Sequence, residues 1–204
     1  MTRPQAAPET SKRQAAAQIL LIHGLNGSGD HSTTGRTLKK AFGARVHTPN
    51  LPTNPAHWYD FLQGYLAENF RASEALILVG NSTGGLLAAC LAQERGFPLV
   101  LINPVVEARD LSQFIGPNQK FASGEEWFFS KEDVESLGQY EVGRPTMPAL
   151  LFLGQNDEIL DHSKAAALYS HHDAKVVSND NSHQYRLSDS DLAILKIFCG
   201  RDHR

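Results

Sequence analysis

Two cysteines in 204 residues are too few for a disulfide framework. Cys90 falls in an apolar helical pattern and Cys199 ends the last one, and neither has metal-ligand spacing. They read as buried thiols of a reducing compartment. No apolar run approaches the roughly 18 residues that a membrane-spanning helix requires. A strong excess of one charge is also missing. The net charge of -3 gives no reason to expect a nucleic acid or an anionic membrane as partner. Residues 1–17 lack the apolar segment of a signal peptide, so they read as a flexible N-terminal tail, with the cytoplasm as default location. Internal repeats and low-complexity tracts are absent. So are the H-E-x-x-H and H-x-H spacings, which argues against a metal hydrolase built from Asp157, Asp161, His162 and His183. Gly24-Leu-Asn-Gly27-Ser-Gly29 does not match G-x-G-x-x-G, and no Gly-Lys-Ser/Thr follows it, which argues against nucleotide binding. No cofactor and no metal are expected.

What is present is an ordinary globular composition, 41% hydrophobic and 20% charged, in a chain long enough for one domain with a real core. Apolar runs alternate with helical patterns. That alternation predicts the α/β class, an approximately six-stranded, mostly parallel sheet with helices on both faces. Strands are predicted at 18–23, 44–48, 75–80, 99–103, 149–154 and 175–178, and helices from near Thr34, Pro55, Thr83, Asp161 and Ser188. The second helix carries Trp58, Phe61, Leu62, Tyr65, Leu66 and Phe70 at i, i+3, i+4, i+7 spacing, which reads as a packing stripe and not a ligand site. The last helix repeats this with Leu192, Leu195, Phe198 and Cys199. Between Pro104 and Pro148 no clear strand is predicted. This segment reads as a short cap-like insertion at about 107–140 in a single domain spanning 18–204, rich in aromatics: Phe114, Phe121, Trp127, Phe128 and Phe129.

The most informative stretch is Gly80-Asn81-Ser82-Thr83-Gly84, between the apolar run 75–79 and an apolar helix. A serine between glycines on a strand-to-helix turn is the pattern of a nucleophile elbow. A serine hydroxyl is a weak nucleophile at neutral pH. It needs an imidazole to take its proton, and a carboxylate to hold that imidazole in one tautomer. In the α/β-hydrolase order these follow as Asp, then His. Asp157 comes just after the apolar run 149–154 and is the preferred acid. Glu158 and Asp161 are its rivals, Asp161 reading better as a helix N-cap. His183 stands in a polar loop after the next predicted strand. Of nine histidines it alone satisfies order and loop context. His162, His171 and His172 lie on or beside a predicted helix, His31, His47 and His57 come too early, and His203 lies at the C-terminal end.

A tetrahedral oxyanion needs two backbone donors. The N–H of Thr83, next after the serine, is one. The loop His23-Gly24-Leu25-Asn26-Gly27-Ser28-Gly29 supplies the other, Leu25 first and Asn26 next, with His23 as a prop for the loop. Asn26, Phe114, Trp127 and Phe128 are the candidates for touching substrate. The aromatics can equally form a small core of the insertion itself.

Leu20-Leu-Ile-His-Gly-Leu-Asn-Gly-Ser28, Gly80-Asn-Ser-Thr-Gly-Gly85, Ile102-Asn-Pro-Val-Val106, Gly154-Gln-Asn-Asp-Glu-Ile-Leu-Asp161 and Ser182-His-Gln184 occur in that order. Together they resemble the YqiA-like esterases, small α/β-hydrolases, and more distantly the YdeN-like serine hydrolases. The resemblance implies a reduced α/β-hydrolase fold. It also implies cofactor-free esterase or thioesterase activity on small acyl substrates, with Ser82 as nucleophile, Asp157 as acid and His183 as base. Two other readings of the same residues remain, an amidase or peptidase with the same triad and a non-catalytic binding protein on this scaffold.

Overall fold

A computed structural model describes residues 16–170 and 173–201. Most of the expected N-terminal tail, together with His171, His172 and His203, lies outside the described residues. Five strand–helix alternations organise the chain. β1 (Gln18–Ile22) is followed by α1 (Thr33–Phe42), β2 (Val46–His47) by α2 (Trp58–Asn69), and β3 (Leu76–Asn81) by α3 (Gly84–Arg95). After β4 (Leu99–Ile102) comes the insertion. β7 (Ala149–Gly154) leads to α5 (His162–Leu168), and β8 (Ala174–Asn179) to α6 (Asp189–Cys199). The sheet has six strands in the order β2-β1-β3-β4-β7-β8, and every neighbouring pair is parallel.

Side-chain alternation along these strands splits the core in two. Leu20, Ile22, Leu78, Leu99, Leu101, Leu151 and Leu153 face α2, α3, α5 and the insertion. Ile19, Leu21, Ile77, Val79, Val100, Ile102, Leu150 and Phe152 face α1 and α6. With both faces covered, the central strands read as unbroken apolar runs. The α2 stripe is packing: Trp58, Leu62 and Leu66 are buried, and Phe61, Tyr65 and Phe70 pack against them. Helix ends follow local chemistry. The Ser32 hydroxyl accepts the Gly35 N–H, and Asp161 caps α5 by accepting the Ser163 N–H. Ser188 and Asp191 form a capping box on α6.

Three expectations need correction. The second strand shrinks to two residues because Gly43–Arg45 turn as a 3-10 helix. The helix expected from Pro55 begins as a 3-10 turn, Pro55–His57, and becomes α-helical at Trp58. The insertion does contain strands. A 3-10 helix at Ala108–Phe114 leads into an antiparallel hairpin, β5 (Gly116–Gln119) with β6 (Glu126–Phe129), and then α4 (Lys131–Gly138). Gly116-Pro117-Asn118-Gln119 is built of residues depleted in strands, so β5 leaves almost no strand signal. The hairpin is anchored by the fully buried Phe129.

Candidate active site

The C-terminal ends of β1, β3, β4, β7 and β8 lie along one edge of the sheet, the edge where open α/β folds build sites. Ser82 follows β3 at φ 52, in the left-handed region that L residues rarely occupy. The fold over-determines this strained turn. Ser82 N–H donates to Ile102 O at 3.0 Å, and its carbonyl accepts from Gly85 N–H (2.8 Å) and Val105 N–H (3.0 Å). Glycine at 80 is needed because a Cβ there would stand 2.7 Å from the Ala88 Cβ, where α3 leans on the strand.

His183, in the loop between β8 and α6, brings Nε2 within 3.0 Å of Ser82 Oγ. Its Nδ1 lies 2.9 and 3.0 Å from the two Asp157 carboxylate oxygens. The partners set the tautomer: Nδ1–H donates to Asp157, and Nε2 accepts from the serine hydroxyl. The Asp157 side chain is 1% exposed. Burial alone would push its carboxyl up. Hydrogen bonds from His183 and from the Leu160 and Ile159 N–H groups outweigh that and hold it below the usual carboxylate range. Both backbone donors reach Oδ1 at 2.9 Å. The arrangement can take a proton from Ser82 and stabilise the imidazolium that results. Of the rival acids, Glu158 accepts the His183 backbone N–H at 3.1 Å and so steadies the loop. Asp161 is occupied as the α5 cap.

The loop after β1 lies against the serine: a Cβ on Gly24 would stand 3.3 Å from Ser82 Oγ. Among the described residues no backbone acceptor takes the N–H of Leu25 or Thr83. His23 is 2% exposed; its Nδ1–H donates to Gly24 O at 2.9 Å, and its Nε2 accepts the Leu51 N–H at 3.1 Å. Burial lowers its pKa to about 4, which keeps it neutral and able to hold both bonds. Asn26, at φ 59, is the hub that ties this loop to the insertion. Its Nδ2 donates to Asn118 Oδ1 (2.8 Å), its Oδ1 accepts from Trp127 Nε1 (2.7 Å), and its carbonyl accepts the Phe121 N–H (3.0 Å). The buried Thr83 hydroxyl has no hydrogen-bond partner among the described residues.

The insertion aromatics divide by hairpin face. Trp127 turns inward to Asn26, and Phe129 sits in the core. Phe128 and Phe121 are 63% and 82% exposed, and Phe128 occupies the face opposite Trp127. Phe114 packs against the core cluster. Sequence reasoning missed Asn103 as a site residue. It follows β4 at φ 40 and is 2% exposed. Its Nδ2 donates to the carbonyls of Ser182 (2.9 Å) and His183 (3.1 Å), and its Oδ1 accepts the Gly154 N–H (2.7 Å). The one available signal was an asparagine, tolerant of positive φ, closing an apolar strand before a proline. Among the described residues no three His, Cys, Asp or Glu side chains converge so as to hold a metal ion.

A six-stranded parallel sheet with helices on both faces and a sharp serine turn at its C-terminal edge defines an α/β-hydrolase fold. Solved structures agree. Alpha/beta hydrolase domain-containing protein 10 from mouse superposes with a TM-score of 0.68, at 16% identity over 89% of this chain and 86% of that one. The esterase domain of a Rhodothermus marinus protein gives 0.64 at 20% identity, covering 91% and 85%. A YdeN-like hydrolase from Pectobacterium atrosepticum, itself termed putative, gives 0.61 at 16% identity, covering 90% and 91%. No curated protein matches the chain at a significant level. Within that fold the chain belongs to Uncharacterised protein family (UPF0227), whose model matches residues 18–199, in line with the YqiA-like motifs.

Proposed function

We propose that this protein is a serine hydrolase that cleaves carboxylic ester or thioester bonds of small acyl substrates. One observation carries the reading: Ser82 Oγ lies 3.0 Å from His183 Nε2, whose other nitrogen is 2.9 Å from Asp157. Ser82 Oγ attacks the acyl carbonyl as its proton passes to His183 Nε2. The N–H groups of Thr83 and Leu25 hold the tetrahedral oxyanion, helped by the N-terminus of α3. Collapse breaks the bond to the leaving oxygen or sulfur, which takes the proton from His183, and leaves an acyl-Ser82 ester. Water, deprotonated by the same imidazole, then releases the acid and restores Ser82. Asp157 keeps its charge throughout. Asn26, within the oxyanion loop, and Trp127, bonded to it, border the acyl group. The esterase and hydrolase names of fold relatives lend support. The free thiols Cys90 and Cys199 suit a cytoplasmic setting.

The test is hydrolysis of 4-nitrophenyl acyl esters together with fluorophosphonate labelling. The native chain is expected to turn over the esters and to be labelled at Ser82. Ser82→Ala is expected to lose at least about 10⁴-fold in kcat with the fold intact. Wild-type rates in that variant would overturn the mechanism. Labelling with faster turnover of matched amides would make it an amidase, and inertness to both would favour a binding protein.

A further inference from the structure

The inner face of the hairpin carries one residue that the site has not used. In β5 and the residue after it, exposure alternates: Pro117 and Gln119 face out, while Asn118 and Lys120 face in. Asn118 meets Asn26 of the oxyanion loop. Lys120 comes two residues later, and the next backbone N–H, that of Phe121, donates to the Asn26 carbonyl. Lys120 is therefore held beside that loop from two directions. It is only 8% exposed. Lysine is almost never buried without a partner. Yet no hydrogen bond or ion pair engages its ammonium among the described residues, and the ammonium is not a fully enclosed atom. Glu125 is its cross-strand neighbour, joined by Lys120 N–H to Glu125 O at 2.8 Å, but the Glu125 carboxylate accepts from Thr53 Oγ1 instead. Burial pushes the Lys120 pKa down, with Glu125 opposing this. Its charge also reaches His23, beneath the loop.

A sequestered, reachable, unpaired cation next to an oxyanion loop is suited to an anion. We propose that Lys120 forms a subsite beside the oxyanion loop that receives a carboxylate or phosphate carried by the ester substrate. The inference rests on the serine-hydrolase reading of Ser82. It narrows the substrate class to acidic esters or thioesters, anionic on the acyl or the leaving side. Lys120 would act in binding and discrimination, not in proton transfer.

Matched ester pairs test it. On the acyl side, mono-4-nitrophenyl glutarate is compared with 4-nitrophenyl pentanoate; on the leaving side, 4-carboxyphenyl pentanoate is compared with phenyl pentanoate. The native chain is expected to prefer the anionic member of one pair by about tenfold or more in kcat/KM, mainly through KM, as one charge-assisted contact allows. Lys120→Met is expected to bring that ratio close to one, and Lys120→Arg to keep most of it. Equal rates within both pairs, or a preference that survives in Lys120→Met, would overturn the subsite while leaving Ser82 chemistry standing. Should all four esters resist hydrolysis, the failure belongs to the serine reading, and calorimetry decides the subsite. Ser82→Ala is expected to bind glutarate or inorganic phosphate, and Ser82→Ala with Lys120→Met to bind neither. Absence of binding to Ser82→Ala would end the proposal.

Discussion

His23 shows how one side chain can hold a loop by staying uncharged. Its ring bridges Gly24 O and the Leu51 N–H, and the second bond requires a free lone pair on Nε2. With the folded pKa near 4 and an ordinary value of 6.5, the unfolded chain takes up a proton that the folded chain refuses. Stability from this group is complete above pH 6.5, falls as pH drops toward about 4, and levels off below. The shift corresponds to on the order of 3 kcal/mol. Urea unfolding at several pH values should show that slope in the native chain and lose it in His23→Gln; an equal slope in both would refute the assignment. Residue-scale features of this kind differ in legibility. Ser82, Asp157 and His183 are legible because each follows a strand and chain order ranks them. Asn103 and Lys120 are not. The Asn103 partners lie 51, 79 and 80 positions away, and a lysine in a polar segment looks like any surface lysine until the fold buries it.

At the scale of elements, the β5–β6 hairpin acts as a strap on the loop after β1, the one proposed to hold the oxyanion. Its grip runs through Asn26, which Trp127, Asn118 and the Phe121 backbone all engage. The aromatics of the insertion are visible in the sequence, but their faces are not. Four-residue strands, one of them holding proline and glycine, give too short an alternation to separate Trp127 and Phe129 from Phe128. Trp127→Phe should keep the edge-to-face packing on Phe129, now at 5.7 Å between ring centroids, and lose only the indole donor. The expected cost is about 1 kcal/mol of stability, with kcat/KM lowered about three- to tenfold if the Leu25 N–H is the proposed oxyanion donor and drifts from its place. Asn26→Gly tolerates the φ of 59 and removes the same bond from the other side. Combined, the two changes should cost clearly less than the sum of the singles. Strict additivity in the ester assay would mean that the strap and the loop act independently.

On the scale of the whole molecule, the site exists because parallel strands end together. β1 delivers Gly24 and Leu25, β3 delivers Ser82, and β7 and β8 deliver Asp157 and His183. This much follows from the alternation of apolar runs. Strand order does not, since no local pattern says that β4 lies between β3 and β7. That central position gives Asn103 its role. From the end of β4 it reaches β7 through the Gly154 N–H and the histidine loop through two carbonyls, so it ties that loop to the sheet edge. Asn103→Gly accepts the φ of 40 without strain and deletes all three bonds. Three hydrogen bonds, one buried and two part-buried, each worth about 1 kcal/mol net at most, set an expected loss of about 2 to 3 kcal/mol in urea unfolding. If Asn103 acts by positioning, kcat should fall on the order of 10²-fold, as a misplacement of about 1 Å can produce, while KM changes little. A variant that loses stability but keeps its kcat would reduce Asn103 to a brace. The three bonds would then hold the sheet edge together without setting the distance between imidazole and hydroxyl.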